Sequence, residues 1–303
     1  MFDEARSRWP RAAAVGVLFA LVMAPATLFG QDAPDPPATA APAAAADEET
    51  ASDTVDAALV GTLGLLVNPV YPPDQARLVY QPLVDYINNA TELDVELVVE
   101  RNFHRYWINA RRNEAPALIL EDAHMVAWRM ARFDYQPLVT TRQPKTFSLL
   151  ASSALADSEL PDFIGRRISS LPSPSLGYLV LADWFDNPLQ QPVIRSTATS
   201  WLDAVEMVFS AESDAAIAPD TLVTKYPNLY PIRTSPEFPG LTLTASPDVP
   251  DGVRRMLIDA LIVLDESAEH QAALFELDIQ GFDEADPEDF TGLEAWLDPI
   301  FSL

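Results

Sequence analysis

The stretch LPSPSLGYLVLADWF, Leu171 to Phe185, decides how the rest of the chain is read. A β-leaning run, Ile168 to Leu171, meets Pro172, Ser173, Pro174 and Ser175, and an apolar helical pattern then begins at Leu176. A helix start leaves backbone N–H groups without partners and carries about half a positive charge from the macrodipole, so such a junction makes an anion cradle. A serine hydroxyl there would close on an oxyanion, and Gly177 would let a ligand approach the backbone. The competing reading is that Ser175 caps its own helix, the commoner task of a serine before an apolar run.

The chain around this junction alternates strands with helices. Ala57 to Val67 is an apolar run that fits a buried strand, broken by Asn68, Pro69, Tyr71, Pro72 and Pro73. Asp74 to Asn89 has helical spacing, Val95 to Val99 is a second strand, and Phe103 to Ala110 a short aromatic helix. Ala117 to Leu120 is a third strand and Asp122 to Arg132 another helix. This βαβαβα order predicts a ligand crevice at the carboxyl ends of the strands.

A second lobe repeats the pattern. Thr146 to Ser152, Arg167 to Ser170, Pro192 to Ile194 and Ala215 to Ala218 read as strands, with helices at Leu176 to Phe185 and Trp201 to Ser210. Ser200 reads as the N-cap of the latter helix. Tyr226 to Pro239 reads as a loop, Leu241 to Ala245 as a strand and Val253 to Leu264 as an amphipathic helix. The fold class is therefore α/β with two lobes, each a mixed sheet flanked by helices, and a cleft between them. Crossings near Pro144 and Pro239 divide the chain into 55–143 and 240–303 for the first lobe and 144–239 for the second.

The N-terminus carries an address. Arg6, Arg8 and Arg11 precede an apolar run from Ala12 to Met23 with small residues at Ala24 and Ala26, so 1–30 reads as a cleaved signal peptide and the protein as periplasmic. Residues 31–54, rich in Pro, Ala and acid, read as a disordered linker.

Composition excludes several functions. With 45 acidic against 19 basic residues the formal charge is -26, which argues against a nucleic-acid partner. Cysteine is absent, so disulfides, thiolate metal sites and a cysteine nucleophile are excluded. None of the three histidines, His104, His124 and His270, lies in a metal-ligand spacing. A G-x-S-x-G elbow, a Walker loop and a dinucleotide fingerprint are all missing, so no enzyme, cofactor or metal is expected. In this acidic chain Arg101, His104, Arg105, Arg111 and Arg112 form a basic cluster, either a solvated helix face or a positive rim that draws an anion to the cleft.

Several segments, in order, resemble the phosphate, phosphite and phosphonate family of ABC-transporter substrate-binding proteins, over Ala57 to Leu297. YQPLVDYINNATELDVELV, Tyr80 to Val99, is similar to the family's "PL-x-x-Y-L" helix end and second strand, and ELPDFIGRRISSL, Glu159 to Leu171, to its "DL-x-G-K-x-V" entry. SAESDAAIAPDTLV, Ser210 to Val223, resembles its "G-x-V-D-A-A" strand, and GFDEADPEDF, Gly281 to Phe290, its C-terminal "GF" segment. The resemblance implies the type 2 periplasmic binding fold, hinge closure on a small phosphate- or phosphonate-like anion, and delivery to an inner-membrane ABC permease by a monomer.

At the positions that would hold the ligand, the chain departs from the family. Where the family shows "S-T-S-G-Y", this sequence has Pro174, Ser175, Leu176, Gly177 and Tyr178, with Ser173 just outside. The aromatic of the family's "G-P-x-x-Y" falls at His124, after Leu120 and Glu121, and its "S-H" pair becomes Ser200 and Trp201. Its acid after "D-A-A" becomes Pro219, beside Asp220, and Tyr71 supplies an aromatic wall. The resemblance thus implies a ligand set of Tyr71, His124, Ser173, Ser175, Leu176, Gly177, Ser200 and Trp201. Each has a plainer role open to it, Trp201 as a lobe anchor, Tyr71 as packing and His124 in a local hydrogen bond. The lost hydroxyls leave a rival, a periplasmic sensor or a diverged module that recognises another ligand or a protein.

Overall fold

The computed structural model describes residues 61–266 and 271–298. The segments read as signal peptide and linker, the start of the run read as the first strand, and His270 lie outside the described residues. Among the described residues no helix is long and apolar enough to cross a membrane.

Two sheets organise the chain. The first contains β1 (Leu63–Val67), β2 (Val95–Val99), β3 (Leu118–Glu121), β4 (Gln136–Thr141), β10 (Thr242–Ala245) and β11 (Phe282–Glu284), in the order β11-β4-β10-β3-β1-β2. The second contains β5 (Phe147–Ser152), β6 (Arg167–Ser169), β7 (Val193–Arg195), β8 (Ala215–Pro219) and β9 (Leu229–Thr234), in the order β7-β6-β8-β5-β9. Each sheet is mixed. β1 pairs in parallel with β2 and β3, and β6 with β7 and β8, while the returning strands run antiparallel.

The apolar periodicity places the helices. α1 (Pro73–Thr91) buries Val79, Leu83, Val84 and Ile87, and packs with α7 (Asp251–Ile262) and α8 (Gln271–Leu277) on the first sheet. α2 (Phe103–Arg111) and α3 (Ala123–Phe133) contribute Phe103, Tyr106, Val126 and Trp128 to a second apolar cluster. That cluster continues without a break into Phe147, Leu150, Ile168 and Val205 of the second lobe. α4 (Leu176–Trp184), α5 (Trp201–Phe209) and the short α6 (Asp220–Val223) belong to that lobe.

Three strands were not read from the sequence. β9 occupies the segment read as the Tyr226 to Pro239 loop. It is an edge strand, mostly exposed and interrupted by Pro231, so it lacks the apolar alternation that marks a half-buried strand. β4 and β11 are likewise defined by their partners, β4 by β10 and β11 by β4.

The chain passes from the first sheet to the second between Thr141 and Phe147 and returns between Thr234 and Thr242. The two passages run side by side. Lys145 N donates to the Phe238 carbonyl at 2.8 Å and Phe238 N to the Lys145 carbonyl at 2.9 Å. Gly240 is needed for their approach, because a Cβ there would fall 1.9 Å from Thr141 Oγ1.

Candidate functional site

The junction before α4 is built from both lobes. His124, on α3 beside the first sheet, donates from Nε2 to the Pro174 carbonyl of the second lobe at 2.9 Å. His124 is buried and its Nδ1 has no partner among the described residues, so the neutral ring with the proton on Nε2 fits the site. Burial lowers the imidazole pKa, and nearby Lys145 adds to this, against the raising effects of Asp122 and the Pro174 bond. Asp122 is itself paired with Lys145 at 2.5 Å.

Neither local reading of Ser175 describes its hydroxyl fully. Ser175 stands at the N-cap of α4 without a side-chain capping bond. Its fully buried hydroxyl donates back to the Leu171 carbonyl at 3.4 Å. The amides of Leu176 and Gly177 have no acceptor among the described residues. Ser200 does cap its helix, accepting from Asp203 N at 3.0 Å.

Gly177 faces side chains instead of an opening. A Cβ on it would lie 2.6 Å from Trp201 Cη2 and 2.9 Å from Phe147 Cδ1. The Phe147 and Trp201 rings pack at 5.3 Å between centroids, and Trp201 is buried. The structure therefore closes His124 onto the loop before Ser175 as a seam between the lobes, while Gly177 and Trp201 pack against each other inside the second lobe and Ser200 caps the helix of Trp201. Ser173 is half-buried in the loop before α4.

Tyr71 lies instead on a cavity of about 210 Å³ that opens beside this seam. Its walls come from the segments that follow four parallel strands. Pro69 and Tyr71 follow β1, Arg101 and Asn102 follow β2, Leu171 and Pro172 follow β6, and Thr197 to Thr199 follow β7. This is the crevice position expected of α/β sheets, shared equally between the two sheets. The starts of α1, α2 and α5 adjoin it, so their dipoles favour negative charge. Of the basic cluster only Arg101 lines the cavity; Arg111 lies over the Trp107 ring and Arg112 pairs with Glu114. The Tyr71 phenol is held in its protonated form by burial and by Asp278 and Glu276, and so is a hydrogen-bond donor.

One buried group was missed from the sequence. Arg129 Nε donates to Glu121 Oε1 at 2.7 Å with both side chains fully buried, and the Tyr106 hydroxyl donates to Glu121 Oε2. Burial opposes the Arg129 charge, but Glu121 and then Tyr106 more than offset it, and its pKa is raised. The eight-residue spacing of Glu121 and Arg129 across a strand–helix turn gives no period that marks them as a pair. Pro219 is buried at the end of β8, and Asp220 is exposed.

Two mixed sheets, paired crossings and a crevice shared by both define a two-lobed periplasmic-binding-protein fold. The family model for the ABC-transporter phosphonate periplasmic substrate-binding protein matches residues 65–290, and the chain belongs to that family. It is a family of substrate-binding proteins, not enzymes. Among solved structures, PhnD1 from Prochlorococcus marinus in complex with methylphosphonate is similar at 13% identity and TM-score 0.66, over 80% of this chain and 99% of that one. A binding component of a Pseudomonas aeruginosa ABC phosphonate transporter is similar at 14% identity and TM-score 0.63, over 78% and 85%. A Xanthomonas citri protein solved with ATP is similar at 13% and 0.65, over 80% and 99%. At these identities the likeness is one of fold. No curated protein matches the sequence.

Proposed function

We propose that this chain is the exported solute-binding protein of an ABC-type uptake system, closing two lobes on a small anionic ligand and delivering it to a permease. The observation that carries this reading is the cavity at the carboxyl ends of β1, β2, β6 and β7, with Arg101 as the only charged side chain lining it among the described residues, in a chain of formal charge -26. A cation kept at that position in so acidic a protein gives an anion a local partner that the surface as a whole denies it. Helix starts around the cavity act in the same sense. The family and the two methylphosphonate or phosphonate-transporter neighbours support the same class of ligand.

In this reading Tyr71 touches the ligand. His124 joins the lobes through the loop that carries Ser173 and leads into Ser175 and Leu176, while Gly177, Ser200 and Trp201 serve the second lobe's own packing and capping. Residues 55–143 and 240–303 form one lobe and 144–239 the other, and 1–30 direct export to the periplasm. The closed seam favours one second reading, a periplasmic sensor or diverged module, because a contact made between protein groups holds the lobes together without a ligand's oxygen atoms.

A thermal-shift screen of the purified protein against phosphate, phosphite, phosphonates, sulfonates and carboxylates, with neutral controls, tests the proposal. A ligand at 100 times its dissociation constant adds about 2.7 kcal/mol to the folded state. Stabilisation by an anion, reduced in Arg101→Glu, supports the uptake reading. A well-folded protein that no anion stabilises sinks it and leaves the second.

A further inference from the structure

The second sheet carries a further cavity, of about 230 Å³, at the end opposite the crevice. It lies where β6 and β8 begin and β5 ends, among Ser152, Arg166, Arg167, Ser213 and Asp214. Arg166 is exposed, and the Arg167 and Asp214 side chains are 41% and 26% exposed, so a ligand can reach all three. Each has unused capacity. The Arg166 side chain donates only from Nε, to the Asp162 carbonyl at 2.9 Å. Arg167 meets Asp214 through its amide at 2.9 Å and its Nε at 3.3 Å, both on Oδ2. The terminal nitrogens of both arginines and the Asp214 Oδ1 have no hydrogen-bond partner among the described residues. Burial works against the Asp214 charge, but the Arg167 amide and guanidinium hold its carboxyl below the ordinary range, so it stands as a carboxylate. The end of α5 adjoins the cavity through Val208 and Ala211, and its dipole adds partial negative charge near Asp214. Two separated poles thus share one accessible cavity.

We propose that this cavity binds a small zwitterion, a molecule with a carboxylate and an ammonium group a few bonds apart, such as a free α-amino acid. The carboxylate meets the terminal nitrogens of Arg166 and Arg167, and the ammonium meets Asp214 Oδ1. The exposed Ala154 and the half-buried Leu155 give the rest of the ligand an accessible apolar wall. Net charge decides between the ligand classes. A cation finds negative surface anywhere on a chain of formal charge -26, and an anion is repelled by the whole while meeting Asp214 in the site. A zwitterion carries no net charge and responds to the local separation of charge. Ser213 lines the cavity too, and its hydroxyl has no partner among the described residues; a small polar ligand seated over it is a partner that the protein itself does not supply. The size also fits. A cavity of about 150 Å³ admits benzene, so about 230 Å³ takes a branched amino acid. The site lies wholly on the side of the second sheet, and so stands or falls apart from the uptake reading.

Titration calorimetry with one carbon skeleton in three charge states tests this. The probes are L-leucine, isocaproate, which lacks the ammonium, and isoamylamine, which lacks the carboxylate. The expected result is that leucine binds about tenfold tighter, or more, than either singly charged probe, since each lost group forfeits a charge-assisted hydrogen bond. Arg166→Gln, at an exposed position, should weaken leucine to a similar extent. Asp214→Asn, which keeps an acceptor for the Arg167 amide, should weaken leucine while leaving isocaproate no weaker. A melting curve checks that each variant is folded, and Arg166→Gln decides the matter if Asp214→Asn does not fold. Isocaproate or isoamylamine binding as tightly as leucine overturns the inference. Leucine binding that is indifferent to Arg166→Gln overturns it as well, and so does a folded protein that does not bind leucine.

Discussion

His124 Nε2 lies 2.9 Å from the Pro174 carbonyl oxygen, so a helix of one lobe grips the loop that begins a helix of the other. Both groups are buried, and a hydrogen bond formed there is one that solvent cannot replace. Removing the donor leaves the carbonyl unsatisfied. His124→Ala should therefore lower stability by about 1–3 kcal/mol in urea unfolding, with His124→Gln recovering part of the loss.

The same imidazole makes stability depend on pH. Burial holds its pKa below the ordinary value, so the unfolded chain takes up this proton before the folded one does. The stabilisation is complete above the unfolded value, near pH 6.5, and is lost as pH falls toward the folded value. Asp122 and Lys145, the charged groups beside it, act in opposite directions. Melting temperature should fall between pH 7.5 and pH 5.5, and fall less in His124→Gln. An equal fall in both proteins would show that other groups cause it.

Gly177 should tolerate no side chain while Trp201 is present. Gly177→Ala puts a methyl 2.6 Å from Trp201 Cη2, and overpacking of this kind costs about 1–3 kcal/mol. Trp201→Ala removes the obstacle at the cost of a cavity. The double variant should be more stable than the sum of the two single losses implies, a coupling that a double-mutant cycle in urea measures.

Glu121 and Arg129 should behave as an all-or-none pair. Arg129→Met leaves a buried carboxylate without its cation and should cost about 3–5 kcal/mol. Replacing Arg129 and Glu121 together, by Met and Gln, should cost less than Arg129→Met alone. Chemical denaturation of the two variants decides it.

By contrast the pair between Lys225 of the second lobe and Asp278 of the first, at 2.6 Å, is half exposed on both sides. Solvent and salt screen it, so Lys225→Ala should change stability by less than about 1 kcal/mol, and less still at high salt.

The sequence by itself determined the order of the principal elements. Apolar spacing in Pro73–Thr91, Trp201–Phe209 and Asp251–Ile262 follows the helical period, and the buried parallel strands are short runs rich in Leu, Val, Ile or Ala. With the quoted segments, that order was enough for the two-lobed fold and the family, and it marked Tyr71, Arg101 and the Ser175 turn as places to look. Local pattern carries this much because the period of side chains along a helix or strand is set by its own backbone. Tertiary structure alone decided what those places became. Whether Gly177 faces a ligand or Trp201 depends on a ring 24 residues away, and whether Ser175 caps a helix or turns back to Leu171 depends on how the loop is packed. Edge strands such as β9 exist through their partners, and Glu121 meets Arg129 only because β3 and α3 fold onto each other. Arg101, not the other cations near it, lines the cavity because the cavity forms only where two separate sheets bring their strand ends together.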